Sequence, residues 1–523
     1  MAESAVRGTG GGRGRGRPTA RQAVRGGGVL AAVALLGAGM AVPAAAAPVG
    51  AGPAAAVGAG PAAAPVGAGP AAAVPGLTQR VSYGPGGGQL TAPSQGGGVS
   101  ENGRFVLFSS AADDLVPGDT NGIEDAFVRD TWTGRVERVS LGDHGKQLTV
   151  PFRGMSLSGN GRYVAFASDE PGLVEDDTDD RSDVFVLDRV TGRTVRATAE
   201  GEGGGFDPSI SRDGRYLAFS STRTPDLPGG ERGGQNIYVL DRRTGVTRMA
   251  SVTREGGVPD QPSRSASISA DGQRVAFISR TFSLAENSGA SGGGDQEPEE
   301  TGAAGTADAK WPAGDDSVSG AEGPGQDGAS IRKPRLYPMY VYDLRTGRVQ
   351  GGSMGPDRLL GTPSGRITPD GRHIAFIGWE IDRRPEAPSG GLLPHRYIAY
   401  VHDLETGKTV QVARTTAGED GNGDETEIVT SGDSRWVYFD STSDGLVPGD
   451  TDGRRDLFRR DLLTGRTETL FDLGQSTTDQ SGTLVAADAH GTSVLVAGPD
   501  GVFGYPGDTN GHDDVFVRRV LPW

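Results

Sequence analysis

The chain contains no cysteine among its 523 residues. Disulfide bonds, thiolate metal sites, lipidation of an N-terminal cysteine and cysteine nucleophiles are therefore excluded. Positive charge is also scarce, because 51 Lys and Arg stand against 67 Asp and Glu, which gives a formal net charge of −16. Nonspecific binding of nucleic acid needs a basic surface, so we predict no nucleic-acid partner.

Long apolar runs are lacking too, and one short run lies near the N-terminus. Residues 1–47 place six arginines before an apolar stretch at Val29–Val42, which Pro43 and four alanines follow. A basic region, a short apolar stretch and an Ala-x-Ala exit are typical of a secretory signal peptide. A membrane anchor is the alternative, but the stretch is short and rich in Gly and Ala for a span. We predict a signal peptide at 1–47, a secreted or cell-surface protein, and no transmembrane span in the mature chain.

Glycine and proline are abundant, with 87 and 33 residues. This composition favours many short strands joined by tight turns, or a large disordered fraction. Residues 48–76 contain no apolar side chain larger than valine before the folded part, so we predict a disordered linker there. An acidic insertion at about 281–333, rich in Gly, Ser and Ala, is predicted to be disordered as well. The folded part is predicted at 77–523.

An internal repeat of two phrases dominates the chain from residue 100 onward. The first phrase is Ser/Thr-x-Asp/Asn-Gly-Arg followed by an apolar run, as in Ser158–Arg162 before Tyr163–Phe166. The second phrase, an apolar strand ending in Asp-x-x-Thr-Gly, follows in the first six units. Asp-Gly supplies the positive φ of a tight hairpin, and the Asp of the second phrase can accept hydrogen bonds from turn amides. We interpret both phrases as turns and predict no catalytic role for the repeated Asp residues.

Seven copies of the first phrase predict seven structural units. The copies begin at Ser100, Ser158, Ser211, Ser269, Thr368, Ser431 and Asp488. Each unit contains four predicted strands, and four-stranded units stacked radially form a β-propeller. The segment Arg80-Val81-Ser82 matches Arg138-Val139-Ser140, which belongs to an outer strand, and the seventh unit lacks an outer strand. We predict an all-β, seven-bladed propeller whose N-terminal strand completes the last blade and leaves no open edge.

These repeats resemble those of the TolB-like β-propeller family across residues 77–523, apart from the insertion. The phrases that carry the resemblance are Ser-x-Asp-Gly-Arg-Tyr-Val-Ala-Phe and Tyr-Val-Leu-Asp-x-x-Thr-Gly. The chain departs from TolB itself, which has six blades and an N-terminal α/β domain that residues 48–76 cannot form. The resemblance therefore does not imply a role in a Tol–Pal-type envelope system.

Four loops between the two central strands of a blade carry Asp-Thr-Asn/Asp-Gly/Asp-x-x-Asp. Their oxygens could converge on a hard cation such as calcium, as in acidic calcium loops. Ordinary turn chemistry is the alternative, because Asp, Asn and Gly are common in turns and the last Asp can simply anchor the next strand. Ring closure makes blades 6, 7, 1 and 2 neighbours, so the loops should form an acidic arc on one face. The candidate calcium ligands are Asp119, Asn121, Asp125, Asp177, Asp179, Asp183, Asp450, Asp452, Asp456, Asp508, Asn510 and Asp514.

The sequence offers no convincing catalytic motif, so we predict no catalytic residues and no cofactor besides calcium. Gly-x-Ser-x-Gly occurs at 289–293, inside the predicted insertion, and at 351–355, before Pro356 and not before a helix. A long loop, Trp379–Pro394, is predicted in blade 5 on the same face as the acidic arc.

The most direct functional prediction is a non-enzymatic scaffold that binds an extracellular or envelope protein or a glycan. Two alternatives stay open. One is a propeller glycosidase or polysaccharide lyase that assembles acids or His at the channel from several blades. The other is a structural module of the cell envelope.

Overall fold

The computed structural model of the chain describes residues 76–178, 180–198, 204–223, 234–281, 284–285, 337–355, 359–381, 395–473, 482–499, 503, 505 and 509–520. The predicted signal peptide, the predicted linker before residue 76 and most of the predicted insertion lie outside these residues, as do Asp179 and Asp508 of the candidate ligands. Predictions about those segments stay predictions.

Seven antiparallel sheets of four strands each form the blades, and blade 4 carries one additional short strand. Blade 1 comprises β2 Ser94–Val99, β3 Phe105–Ser110, β4 Asp125–Asp130 and β5 Val136–Arg138. Blade 2 comprises β6 Arg153–Leu157, β7 Tyr163–Ser168, β8 Asp183–Asp188 and β9 Arg193–Arg196. Blade 3 comprises β10 Gly205–Ile210, β11 Tyr216–Ser221, β12 Asn236–Asp241 and β13 Val246–Met249. Blade 4 comprises β14 Ser263–Ile268, β15 Arg274–Ser279, β16 Tyr337–Asp343 and β17 Arg348–Gly351, and the short strand β18 Gly361–Thr362 pairs with β16. Blade 5 comprises β19 Gly365–Ile367, β20 His373–Ile381, β21 His395–Asp403 and β22 Thr409–Gln411. Blades 6 and 7 comprise β23 Ile428–Thr430, β24 Trp436–Ser441, β25 Asp456–Asp461 and β26 Thr467–Thr469; and β27 Thr483–Ala487, β28 Ser493–Gly498, β29 Asp514–Val520 and β1 Gly76–Arg80. Two 3₁₀ turns, Pro85–Gly87 and Asp143–Gly145, lie in the connections that follow β1 and β5.

The ring closes as the sequence predicts. In blade 7 the strand order is β27, β28, β29 and then β1, so the first strand of the chain is the outer strand of the last blade. Gly76 pairs with Val520 and Arg80 pairs with Phe516 in antiparallel register. Blade 7 then contacts blade 1 through β27 and β2. The protein is therefore a seven-bladed β-propeller.

The hydrophobic core lies between neighbouring blades, because the second and third strands of each blade are apolar on both faces. Val106 and Phe108 of blade 1, for example, pack in one cluster with Leu495 and Val515 of blade 7. Two aromatic rings lie side by side across the central strands of blades 1 to 6, as Phe108 and Phe127 do in blade 1 with 5.8 Å between ring centroids. Consecutive apolar residues in these strands thus reflect burial on both sides.

One face of the ring, which we call the hairpin face, carries the short turns of the two repeated phrases. In blade 2, Arg162 donates to Asp188 with 2.6 Å between Nη2 and Oδ2, and Asp188 Oδ1 accepts from the amide of Val190 at 3.0 Å. Gly192 ends the turn with φ +69°. The corresponding pairs are Arg104–Asp130, Arg215–Asp241, Arg372–Asp403 and Arg435–Asp461. The geometry agrees with the interpretation of both phrases as structural turns.

The opposite face, which we call the loop face, carries the connections between the second and third strands and those between consecutive blades. Antiparallel strands alternate in direction, so these connections all emerge on this side. In blade 5 the central hairpin is longer than predicted, because Trp379 pairs with Tyr397 inside the ladder of β20 and β21. Residues 379–381 of the predicted loop Trp379–Pro394 therefore belong to β20, and residues 382–394 lie outside the described residues.

Within the described part of the chain, no helix is long and apolar enough to cross a membrane.

Candidate functional site in the acidic loops

In blade 1 the structure brings the three candidate ligands together around an arginine. Arg138 Nη1, at the end of β5, lies 2.7 Å from Asp119 Oδ1 and 3.3 Å from Asp125 Oδ2. Asn121 Nδ2 donates to Asp125 Oδ2 at 2.8 Å. All three of these charged side chains are almost fully buried, so the guanidinium compensates the negative charge of the loop.

Asp125 also anchors the start of its strand. Its Oδ1 accepts a hydrogen bond from Ser140 Oγ, and Ser140 Oγ in turn accepts one from the amide of Ala126 at 3.0 Å. The last Asp of the motif therefore has the anchoring role that turn chemistry predicts, in addition to its ion pair.

Blades 2 and 7 repeat this arrangement with residues at equivalent positions. In blade 2, Arg196 Nη1 lies 3.5 Å from Asp183 Oδ2 and 3.7 Å from Asp177 Oδ1, and Thr198 donates to Asp183. In blade 7, the outer strand comes from the N-terminus, and Arg80 Nη1 lies 3.4 Å from Asp514 Oδ2. Ser82 Oγ donates to Asp514 Oδ1, and Asn510 Nδ2 donates to Asp514 Oδ2 at 3.1 Å.

Blade 6 has a different outer strand, without the arginine that lies at the loop in blades 1, 2 and 7. Thr469 pairs with Phe458 just as Arg138 pairs with Phe127, so threonine occupies the arginine position. Carboxylate oxygens of Asp450, Asp452 and Asp456 all lie within 4.8 Å of one another.

Two carboxyl groups of this blade 6 cluster, those of Asp450 and Asp456, have raised pKa values. Burial raises the pKa of Asp450 to about 7, with further contributions from the nearby charges of Asp456 and Asp444. Burial and the charge of Asp452 raise the pKa of Asp456 to about 6. A positive charge between the two carboxyl groups would favour their ionised forms and so lower both pKa values.

Two glutamates beside blade 6 also have raised pKa values. Glu425 is fully buried, accepts from Ser441 Oγ at 2.9 Å and from the amide of Ala399 at 3.2 Å, and burial raises its pKa to about 8. At Ala399 it replaces the serine hydroxyl that blade 1 uses at Ala126. Glu427, directly before inner strand β23, accepts from the amide of Leu484, and burial raises its pKa to about 8 as well.

The repeated phrases of the sequence do not indicate the arginines or the two glutamates, for different reasons. Arg80, Arg138 and Arg196 recur at one position of the outer strand, so aligning the outer strands would have revealed them. Glu425 and Glu427 occur once, outside the repeated phrases, and leave no such signal.

The described Gly-x-Ser-x-Gly segment has a structural serine. Ser353 is fully buried, donates to the carbonyl of Leu360 at 2.6 Å and accepts from the amide of Met339 at 2.9 Å. It has the position in blade 4 that Ser140 has in blade 1.

No family model matches the chain, and no curated protein matches it. Among solved structures, TolB from Acinetobacter baumannii is similar at 16% identity and a TM-score of 0.32, over 66% of this chain and 58% of TolB. The β-propeller domain of the Trilobed protease from Pyrococcus furiosus is similar at 10% identity and a TM-score of 0.43, over 83% of this chain and 96% of that domain. An oligogalacturonate lyase in complex with manganese is similar at 12% identity and a TM-score of 0.45, over 86% of this chain and 98% of the lyase. These similarities show the propeller fold alone. The chain spans 58% of the length of TolB.

Proposed function

We propose that this protein is an extracellular, non-enzymatic β-propeller that binds a protein or a glycan through its loop face. The difference between the two faces is the observation that supports this function. On the hairpin face, uniform turns hold their charged groups in repeated Arg–Asp pairs. On the loop face, the connections differ from blade to blade, and variable loops on a rigid scaffold are a common way to present binding residues.

The chemistry of the loop face favours a partner with cationic or hydroxyl groups. Its exposed acids in blades 1 and 2 include Asp113, Asp114, Glu175 and Asp176, in addition to the buried ligand candidates. A cluster of exposed charge of one sign attracts complementary surfaces, and this attraction weakens as salt increases. The pattern of residues 1–47 supports export, which N-terminal sequencing of the protein from culture medium would check by a start near residue 48.

A charge-reversal experiment tests the binding face. We expect the Glu175→Lys, Asp176→Lys double variant to lower affinity at least about tenfold for ligands found on arrays of extracellular proteins and polysaccharides. Glu405→Lys, an exposed acid on the hairpin face, is the matched control and should bind as the unmodified protein does. Equal loss in both variants, or in neither, would contradict binding through the loop face.

An extracellular glycosidase or lyase is the second candidate, because of Glu427. A carboxyl group that stays protonated near neutral pH can serve as a general acid, and the pKa of Glu427 is about 8 because of burial. Its Oε2 is already held by the amide of Leu484, however, which indicates a structural role. Release of reducing ends or of unsaturated sugars from polysaccharides, abolished in Glu427→Gln, would establish the enzyme; absence of turnover supports the scaffold.

A further inference from the structure

Three of the four acidic loops are built around a buried positive charge that the chain itself supplies. Arg138, Arg196 and Arg80 end the outer strands of blades 1, 2 and 7 and lie beside the loop carboxylates. Buried carboxylates without a countercharge are unfavourable, so these arginines stabilise the loops in which they lie. Because an arginine recurs at one position of the outer strand, we conclude that this type of acidic loop requires a buried positive charge.

Blade 6 has the acids of the motif but not the arginine. Thr469 stands at the arginine position, and Phe471 stands where Ser140 donates to Asp125 in blade 1. Blade 6 therefore has no guanidinium at the first of these positions and no hydroxyl at the second, where blade 1 offers both to Asp125. Arg455 is engaged with Asp440 instead. Arg454 attracts the Asp456 carboxylate from an exposed position on the same loop, where a charge contributes little.

Two buried polar atoms of blade 6, one in the loop and one at the arginine position, have no hydrogen-bond partner among the described residues. These atoms are Asp450 Oδ2 and Thr469 Oγ1, and the two residues are 3% and 1% exposed. Thr469 and Arg138 have the same place in the strand register, so the side chain of Thr469 lies on the side of β26 that corresponds to the side of β5 on which Arg138 contacts its loop. A buried oxygen without a partner is unfavourable, and an unseen ion or water is a common explanation.

We infer that the blade 6 loop binds one calcium ion through Asp450, Asp452 and Asp456, and that arginine takes the place of this ion in blades 1, 2 and 7. Such a structural ion is independent of the proposed function, because it does not depend on what the loop face binds. Charge compensation in the four loops is then the same, supplied by a side chain in three blades and by an ion in one.

The donor set selects the ion. Three carboxylates are oxygen ligands only, which suits calcium and disfavours zinc, whose structural sites are built from Cys sulfur and His nitrogen. Calcium–oxygen bonds of about 2.3–2.6 Å place ligand atoms on opposite sides of the ion up to about 5 Å apart. The carboxylate oxygens lie within 4.8 Å of one another, as such a site requires. Magnesium prefers to keep several waters, so it should bind more weakly.

Calorimetry and thermal unfolding of the full mature chain, after removal of metal, test the inference. We expect one calcium ion per chain and a rise in the unfolding midpoint of about 2–5 °C in 10 mM calcium relative to chelator. Asp450→Asn should abolish both effects. Asp119→Asn in blade 1 is the matched control, and it should keep a stoichiometry of one although it removes the equivalent acid.

An exchange of the two blade types separates an ion site from a mere need for the acids. Thr469→Arg should remove calcium binding while raising the midpoint in chelator, since the arginine replaces the ion. Arg138→Thr should create a second calcium site in blade 1. No binding at millimolar calcium, binding that survives both Asp450→Asn and Thr469→Arg, or an equal response to magnesium would overturn the assignment.

Discussion

Asp188 on the hairpin face and Glu425 beside blade 6 carry the same functional group with opposite pKa shifts. Hydrogen bonds from Arg162 hold the pKa of Asp188 at about 2, well below its usual value. Burial without a cationic partner at hydrogen-bond distance raises the pKa of Glu425 to about 8. At the scale of single residues, the environment therefore decides whether a carboxyl group acts as an anion or as a neutral hydrogen-bonding group.

The substitution Glu425→Gln should make stability less dependent on pH. An unfolded glutamate loses its proton near its ordinary pKa of 4.5, whereas the folded group loses it near 8. The folded state therefore binds more protons between these values, and the contribution of Glu425 to stability, full below pH 4.5, is lost as the pH rises through 8.

Glutamine keeps a hydrogen-bonding group for Ser441 and Ala399 but cannot ionise. Relative to the unmodified protein, we expect a gain on the order of 2–4 kcal/mol at pH 9 and a change within about 1 kcal/mol at pH 5, measured by urea unfolding. The same difference at both values would show that Glu425 is already ionised in the folded state.

At the scale of the elements, the turns of the hairpin face join neighbouring blades as well as neighbouring strands. The turn glycine of one blade lies against an aromatic ring of the preceding blade, as Gly214 of blade 3 lies against Tyr163 of blade 2. A Cβ atom at Gly214 would stand well inside van der Waals contact with that ring. The same packing recurs at Gly161 on Phe105, Gly272 on Tyr216 and Gly491 on Trp436. These glycines are therefore required by the blade interface in addition to their positive φ.

Comparison of two glycine variants measures this interface contribution. Gly192 has φ +69° and Gly214 has φ +75°, but a Cβ atom at Gly192 would meet nothing within 4 Å. Gly192→Ala should cost about 1 kcal/mol from backbone conformation alone. Gly214→Ala should cost about 1–3 kcal/mol more because the methyl group overpacks the ring of Tyr163. Equal losses in chemical unfolding would contradict a role in joining the blades.

At the scale of the whole molecule, the ring depends on a pairing between the two ends of the folded chain. Ser82 and Asp514 are hydrogen-bonded although they are 432 residues apart in sequence. Pairing across such a separation must overcome a large loop-closure entropy, so we expect the pairing of β1 with β29 to form slowly and late in folding. Until then the edges of blade 7 and of β1 are open to other chains.

A disulfide across this closure should stabilise the ring. Thr78 pairs with Arg518, and Arg518 Nη1 donates to Thr78 Oγ1 at 3.1 Å, so the two side chains lie on one face of the pair. The chain has no other cysteine to compete. The oxidised Thr78→Cys, Arg518→Cys variant should unfold at a higher temperature than its reduced form, by several degrees, because the cross-link constrains the unfolded chain. No difference between the two forms would indicate that closure contributes little to stability.

The sequence predicts the architecture well because its turns and outer strands repeat. The match of Arg80-Val81-Ser82 to Arg138-Val139-Ser140 predicted the closure of the ring, and the structure confirms it through the pairing of β1 with β29. The site is less predictable, since a motif shared by four loops does not reveal which partner each loop has. Thr469 distinguishes blade 6 only when its place in the strand register is known.

The register of β1 with β29 also determines how the propeller responds to mechanical force. Gly76 and Val520, the points where the chain enters and leaves the ring, are paired directly with each other. Tension between them would load the hydrogen bonds of this pair one after another, as in peeling, whereas strands pulled in opposite directions along their length share the load. A ring whose core lies between all its blades would therefore open at low force from this single seam.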